Sequence, residues 1–213
     1  MMKSGRLVRK RVYEMVDNNI EYYNINAASF VAGTQNVDMS LWRDKFESYV
    51  TDGGRVLDAG CGSGRDSKAF IQHGFSVVAF DASREMCKAA SELIGQEVWQ
   101  MKFQEIAFDE EFDGIWACAS LLHVPYEELP DVMKKLHMAL KPGGVIYVSF
   151  KYGDGKMIKG ERTFSNFTEI TVAQLLNEAG FHVVECGVTG DVREGREDEK
   201  WLNVIARLRT GEE

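Results

Sequence analysis

Val56-Leu57-Asp58-Ala59-Gly60-Cys61-Gly62-Ser63-Gly64-Arg65-Asp66 decides how the rest of the chain is read. An apolar run leads into three glycines at alternate positions and then into helix-forming residues, which is the pattern strand, turn, helix. Glycine admits positive φ and lets a ligand approach the main chain closely. The dinucleotide fingerprint G-x-G-x-x-G/A requires a small residue where this chain has Arg65, and a carboxylate at Asp58 opposes a pyrophosphate. The spacing is instead D-x-G-x-G-x-G. Asp58 is suited to accept a hydrogen bond from an ammonium group, so an amino-acid-bearing nucleoside fits this turn better than a nicotinamide dinucleotide.

Working outward, Val77-Val78-Ala79-Phe80-Asp81-Ala82-Ser83 is a second strand ending in an acid. A carboxylate there can accept both hydroxyls of a ribose, as in nucleotide-binding α/β sheets. Further apolar runs predict strands over Arg55–Ala59, Ser76–Asp81, Glu97–Met101, Phe112–Ala119, Val145–Phe150, Phe181–Val192 and Trp201–Leu208. Helices are expected between them: Arg65–His73 closed by Gly74, Arg84–Ile94 between Ser83 and Gly95, Glu127–Ala139 closed by the Lys141-Pro142-Gly143-Gly144 turn, and Val172–Ala179 ending at Gly180. For the last of these, Thr171 is expected as the cap, with Gln174 completing a capping box. A helix over Leu41–Val50 shares one face among Trp42, Phe46 and Tyr49.

Only the last two of these seven strands lack a helix between them. With the first six parallel, the final pair is a hairpin whose loop lies at the carboxyl ends of the parallel strands, where open α/β sheets bind ligands. Asp191 to Lys200, with Arg193 and Arg196, is therefore expected over the site.

Composition agrees with such a fold. The 213 residues hold 25 Lys+Arg against 33 Asp+Glu, a net charge of −8, with 45 % hydrophobic and 27 % charged residues. These are ordinary globular proportions, and no linker or repeat divides the chain, so 1–213 is read as one domain with 1–52 as an N-terminal helical cap or lid. The acidic balance disfavours nucleic acid and anionic membranes as main partners. No run of about 18 apolar residues or signal-peptide pattern occurs, which predicts a cytoplasmic protein with no membrane partner. Cys61, Cys87, Cys118 and Cys186 are too scattered for a zinc site, and no metal is expected.

The glycine motif, the acid after strand two, the Phe112-Asp113-Gly114-Ile115-Trp116-Ala117 strand and Lys141-Pro142-Gly143-Gly144 together resemble the class I S-adenosylmethionine-dependent methyltransferases, over roughly Leu41 to Leu208. The chain looks most like the methyltransferase-11/25 type, in its small bacterial tellurite-resistance-like branch. The resemblance implies a Rossmann-like three-layer sandwich with a seven-stranded, mostly parallel sheet, order 3-2-1-4-5-7-6, and an antiparallel last strand. It implies S-adenosyl-L-methionine as cofactor, with Gly60, Cys61, Gly62 and Gly64 beside its methionine part and Asp58 near the amino group. Asp81 would hold the ribose, Ala82 and Met86 would flank the adenine, and Phe103-Gln104 would follow strand three. Many relatives carry an acid where this chain has Lys102, so Gln104 is the acceptor available to the adenine amino group.

Methyl transfer from a sulfonium is an in-line displacement in which the protein aligns the partners and excludes water. A base matters only where the acceptor must lose a proton, and the candidates are His123 and Tyr152. Substrate contacts are expected from Tyr22, Ser120 and Lys151, with Arg193 and Arg196 placed to receive an anionic small-molecule acceptor. Ala117-Cys118-Ala119-Ser120 lacks the Asn/Asp-Pro-Pro-aromatic motif of amino-methylating DNA enzymes, which favours a small acceptor. A protein or RNA acceptor, or a non-catalytic regulatory protein that binds the cofactor, are the alternatives. Oligomeric state has no signature in the sequence.

Overall fold

Apolar side chains alternate across both faces of one sheet, and that alternation sets the architecture. The structure, a computed structural model, describes residues 18–160, 162–191, 193, 195–196 and 198–209. The stretch 1–17 of the expected cap, and Glu194 and Glu197 in the late hairpin, lie outside the described residues. In chain order the first half contains α1 (18–25), α2 (Ala27–Thr34), α3 (Ser40–Glu47), β1 (Arg55–Ala59), α4 (Arg65–Gln72), β2 (Ser76–Asp81), α5 (Arg84–Ile94) and β3 (Trp99–Gln100). The second contains β4 (Phe112–Ala117), α6 (Leu129–Ala139), β5 (Leu140–Lys151), β6 (Gly155–Lys159), β7 (Arg162–Asn166), α7 (Glu169–Glu178), β8 (Phe181–Gly190) and β9 (Lys200–Leu208).

On β4, Ile115 and Ala117 join one apolar layer while Trp116 joins the other. On β5, Ile146, Val148 and Phe150 take the first face, and Val145 and Tyr147 the second. A strand with two apolar faces is stable in water only when both are covered. Helices α6 and α7 cover the first, through Leu129, Val132, Leu136, Val172 and Leu176, and α3, α4 and α5 cover the second, through Trp42, Phe46, Phe70 and Ala90. The sheet order is β3-β2-β1-β4-β5-β9-β8, with β9 antiparallel to both neighbours. Counted within that sheet alone, this is the expected 3-2-1-4-5-7-6.

The local departures have physical reasons. Strand three shrinks to Trp99–Gln100, because the Val98 N–H donates to Ser91 Oγ at 3.0 Å instead of joining the ladder. Lys141-Pro142-Gly143-Gly144 is no free turn but the irregular start of β5: the register slips between Phe112 and Gly114, and Lys141 Nζ donates to Asp113 at 2.8 Å. Helix α6 begins at Leu129 rather than Glu127, since Pro125 to Glu128 form a turn in which Glu128 N–H donates to the Pro125 carbonyl. Helix α7 begins three residues earlier than expected, with Thr168 as cap and Thr171 at the third helical position, the two bonded reciprocally. The hairpin β6–β7 was not expected at all. It forms its own two-stranded sheet and packs beside the carboxyl ends of the main one.

Gly114 shows how tightly the second layer is filled. A Cβ there would stand 2.6 Å from Phe46 Cζ and 2.8 Å from Val50 Cγ2. Gly114→Ala should therefore cost about 1–3 kcal/mol by overpacking, read as a lower urea midpoint with an unchanged slope.

Candidate functional site

The end of β2 locks the glycine turn in place. The Gly60 and Cys61 N–H groups both donate to the Phe80 carbonyl at 2.9 Å. Asp81 then accepts from Gly62 N–H through Oδ2 and from Ser83 N–H through Oδ1, each at 2.9 Å. Gly60 and Gly62 take φ of +75° and +55°, where a side chain would be strained. At Gly60 a Cβ would also lie 2.5 Å from Ser120 Cβ. Ser120 itself is buried and donates to the Ala59 carbonyl at 2.7 Å, so it holds the turn from the side of β4.

Gly64 departs from its expected role. It faces the Ala90 Cβ of α5, which a Cβ at Gly64 would meet at 3.0 Å, and it does not line the cavity. Its task is helix packing.

The cavity above the turn holds about 610 Å³, within the range of about 300–1,000 Å³ of small-ligand sites. Asp58, Gly60, Cys61, Gly62, Asp81, Ala82, Met86, Phe103 and Gln104 all line it, as does Ser120. Met86 and Phe103 are buried, and Phe103 meets Phe80 edge to face at 5.2 Å, which makes an apolar wall beside Asp81. Gln104 donates through Nε2 to Glu128 at 2.7 Å, an arrangement that keeps its carbonyl oxygen as an acceptor. Asp58 is buried and accepts from Ser67 Oγ at 2.6 Å; burial first, then the nearby Asp66 charge, raise its pKa to about 7. Asp81 is raised as well, by burial, against the pull of its backbone amides. Such buried carboxylates are costly in isolation and are relieved by a cation or hydroxyl donors entering the cavity. An ammonium at Asp58, a ribose at Asp81 and an apolar ring at Met86 and Phe103 satisfy this set of groups.

Also lining the cavity, His123 Nε2 and Tyr23 Oη are 2.7 Å apart. Burial lowers the His123 pKa to about 4 and raises that of Tyr23 to about 12. The neutral pair is therefore the state at neutral pH, with the phenol donating to the ring. Tyr23, not Tyr22, lines the cavity. Tyr22 instead lies under the Arg162 guanidinium, whose carbon is 4.2 Å from its ring centroid. The segment is anchored at further points: Asn19 accepts from the Thr163 N–H at 3.0 Å and donates to the Thr163 carbonyl at 3.2 Å, and Asn24 accepts from Ser83 Oγ at 2.8 Å.

The late hairpin does hang over the cavity, and Lys151, Arg193 and Arg196 line it. Their charges are already answered. Asp191 receives Arg193 through both carboxylate oxygens, and Glu199 pairs with Lys151, Lys159 and Arg196. Tyr152 is half exposed at the rim, where its hydroxyl donates to Glu169 at 3.1 Å. Beyond the expected residues, the cavity is lined by Arg65, Tyr23 and the hairpin residues Arg162, Phe164 and Asn166. Arg65 donates to both oxygens of Asp66, and Asp66 also accepts from Trp116 Nε1 at 3.0 Å, which ties the helix start to the aromatic layer under the sheet.

Among the described residues, no helix is long and apolar enough to cross a membrane, and no group of three or more His, Cys, Asp or Glu is placed to hold a metal. Residues 56–144 match a family model described as "Methyltransferase domain". The chain is 28 % identical over 124 residues to a protein of Bacillus subtilis (strain 168) named as a methyltransferase, YqeM, covering 53 % of this chain and 50 % of that one. It is 29 % identical over 167 residues to a malonyl-[acyl-carrier protein] O-methyltransferase of Serratia marcescens, covering 68 % and 62 %. The chain thus spans about half to three-fifths of these curated relatives. Among solved structures, the Burkholderia thailandensis 1,6-didemethyltoxoflavin-N1-methyltransferase, bound to 1,6-didemethyltoxoflavin and S-adenosylhomocysteine, superposes with a TM-score of 0.77 at 21 % identity, covering 95 % of this chain and 90 % of that one. The [4+2]-cyclase SpnF superposes at 0.72 with 16 % identity over 90 % and 96 %. These two likenesses concern the fold.

Asp58 gives the site a pH signature. Its folded pKa lies above the ordinary 3.8, so the stability it contributes is present below about 3.8 and is lost as pH rises through about 7. Asp58→Asn keeps an acceptor for Ser67 and removes that loss. Urea unfolding should show the variant more stable than the parent by about 1–3 kcal/mol at pH 8, with the gap closing toward pH 4.

Proposed function

We propose that the chain is a class I, S-adenosylmethionine-dependent methyltransferase that transfers a methyl group to a small-molecule acceptor, a reading supported by the methyltransferase-domain match over residues 56–144. The observation that carries this reading is the joint placement of Asp58, the Gly60–Gly62 turn and Asp81 in the wall of one cavity. S-Adenosylmethionine supplies an electrophilic methyl group when bound. Asp58 would receive the ammonium, and Asp81, whose oxygens each retain a lone pair beyond the one bonded to a backbone amide, would receive the ribose hydroxyls. Met86, Phe103 and Ala82 would hold the adenine, with the Gln104 carbonyl available to its amino group.

The acceptor belongs to the opposite end, under α1 and the two hairpins. Helix α1 and the loop after α2 close that end, consistent with a lid that excludes water. The cavity of about 610 Å³ has the size of a small-ligand site, and the net charge of −8 is poorly matched to RNA. His123 is bound on both nitrogens, Nε2 to Tyr23 and Nδ1 to the Thr163 carbonyl at 3.4 Å. It serves to orient Tyr23 and is no free base. Tyr152, held by Glu169 at the rim, fits substrate contact better than proton transfer.

Calorimetry with S-adenosylhomocysteine tests the reading directly: binding to the parent chain is expected, and its absence would refute it. Asp81→Asn places an amide where two N–H donors already point, so affinity for S-adenosylhomocysteine should fall by about tenfold or more. Methyl transfer to a competent acceptor should show no inflection near pH 6.5 from His123, because its folded pKa lies near 4.

A further inference from the structure

Five of the cations that line the cavity have a carboxylate partner. Lys151, Lys159, Arg193 and Arg196 each face Asp191 or Glu199, and Arg65 is held by Asp66. Arg162 is different. It projects from β7 into the cavity with no carboxylate partner among the described residues. Its guanidinium carbon lies 4.2 Å from the Tyr22 ring centroid and 5.2 Å from that of Phe164. The guanidinium also donates to the Tyr23 hydroxyl; aromatic faces attract a cation but cannot accept in-plane N–H donors, so its remaining donors are left for a planar oxyanion.

A second observation lies on the same strand. Residues two apart on a strand share a face, and Arg162, Phe164 and Asn166 all line the cavity. Asn166 is only 7 % exposed, and its Oδ1 is buried with no hydrogen-bond partner. A buried acceptor without a donor costs about 1–3 kcal/mol until something supplies one. One strand face thus presents a cation at one end, an apolar ring at the centre, 5.1 Å from the His123 ring, and an unsatisfied acceptor at the other end.

We propose that this inward face of β7 is the acceptor subsite, with Arg162 recognising a carboxylate of the acceptor, Phe164 packing its apolar body and Asn166 accepting from one of its N–H or O–H groups. This rests on the reading of the cavity as a methyl-transfer site and moves acceptor recognition from Arg193 and Arg196 to Arg162. The carboxylate follows from the planar fork of the guanidinium, which such a group meets through two parallel bonds.

The test uses ligand-observed NMR on the full chain, with and without S-adenosylhomocysteine, and two matched probe pairs: 4-hydroxybenzoate against 4-hydroxybenzamide, and hexanoate against hexanamide. The acids should bind at least about tenfold more tightly than the amides. Arg162→Gln should erase that preference, and Arg162→Lys, which keeps the charge without the fork, should retain part of it. Affinity for S-adenosylhomocysteine, measured on the same samples, should stay within about twofold in both variants, which also reports on their folding. Equal binding of acids and amides, no binding of any probe, or a preference that survives Arg162→Gln and vanishes in Arg193→Gln would overturn the proposal. Failure of the parent chain to bind S-adenosylhomocysteine would instead strike the methyltransferase reading, whatever the probes show.

Discussion

Everything at the site depends on the last two residues of β2. The Phe80 carbonyl takes two consecutive amides of the glycine turn, and the Asp81 carboxylate takes a third together with the cap residue of α5. A turn with positive φ at Gly60 and Gly62 has no ladder partners of its own, and buried amides without acceptors are costly. By filling those amides from the neighbouring strand, β2 fixes where the turn, the start of α4 and the start of α5 stand relative to one another. The same carboxylate is left with lone pairs facing the cavity, so one side chain holds the architecture and offers a ligand contact.

The fold was legible because its signals are local. An apolar strand, three glycines and an acid at the end of the next strand determine β1, α4 and β2, and the capping of α5 by Ser83 follows the sequence rule. What could not be read has specific causes. Strand β6 carries exposed Lys156, Ile158 and Lys159, so it offers no buried periodicity to detect. Adjacent Tyr22 and Tyr23 are told apart only by the rotational phase of α1, which nothing in the flanking sequence fixes. Arg193 and Arg196 looked free because charge along the chain does not show which carboxylate folds back on which cation; Asp191, two residues away, closes on Arg193 through the turn. Gly64 was grouped with its neighbours by spacing, although its environment is a helix rather than the cavity. The tellurite-resistance-like placement rests on sequence resemblance alone.

A superposition on both an N-methyltransferase and a cyclase shows how little the sheet dictates about chemistry. Function resides in the groups a fold displays. Here the two ends of the cavity are built differently. The proposed cofactor side is made of main-chain turns and two carboxylates, Asp58 and Asp81, carried by parallel strands, whereas the proposed acceptor side is made of side chains from α1, β7 and the β8–β9 loop. The first is constrained by the hydrogen bonding of the sheet itself. The second rests on side chains, of which only Phe164 belongs to the core.

Asn19 links two of those acceptor-side elements in a way that bears on traffic through the cavity. Its carboxamide occupies both ladder groups of Thr163, so α1 behaves as one more rung beside β7. Swinging α1 away alone would leave the Thr163 N–H without its acceptor, at about 1–3 kcal/mol, while the Thr163 carbonyl would keep only His123 Nδ1. Moving helix and hairpin together breaks neither bond. Opening the cavity on this side would therefore carry α1 and the β6–β7 hairpin as one unit.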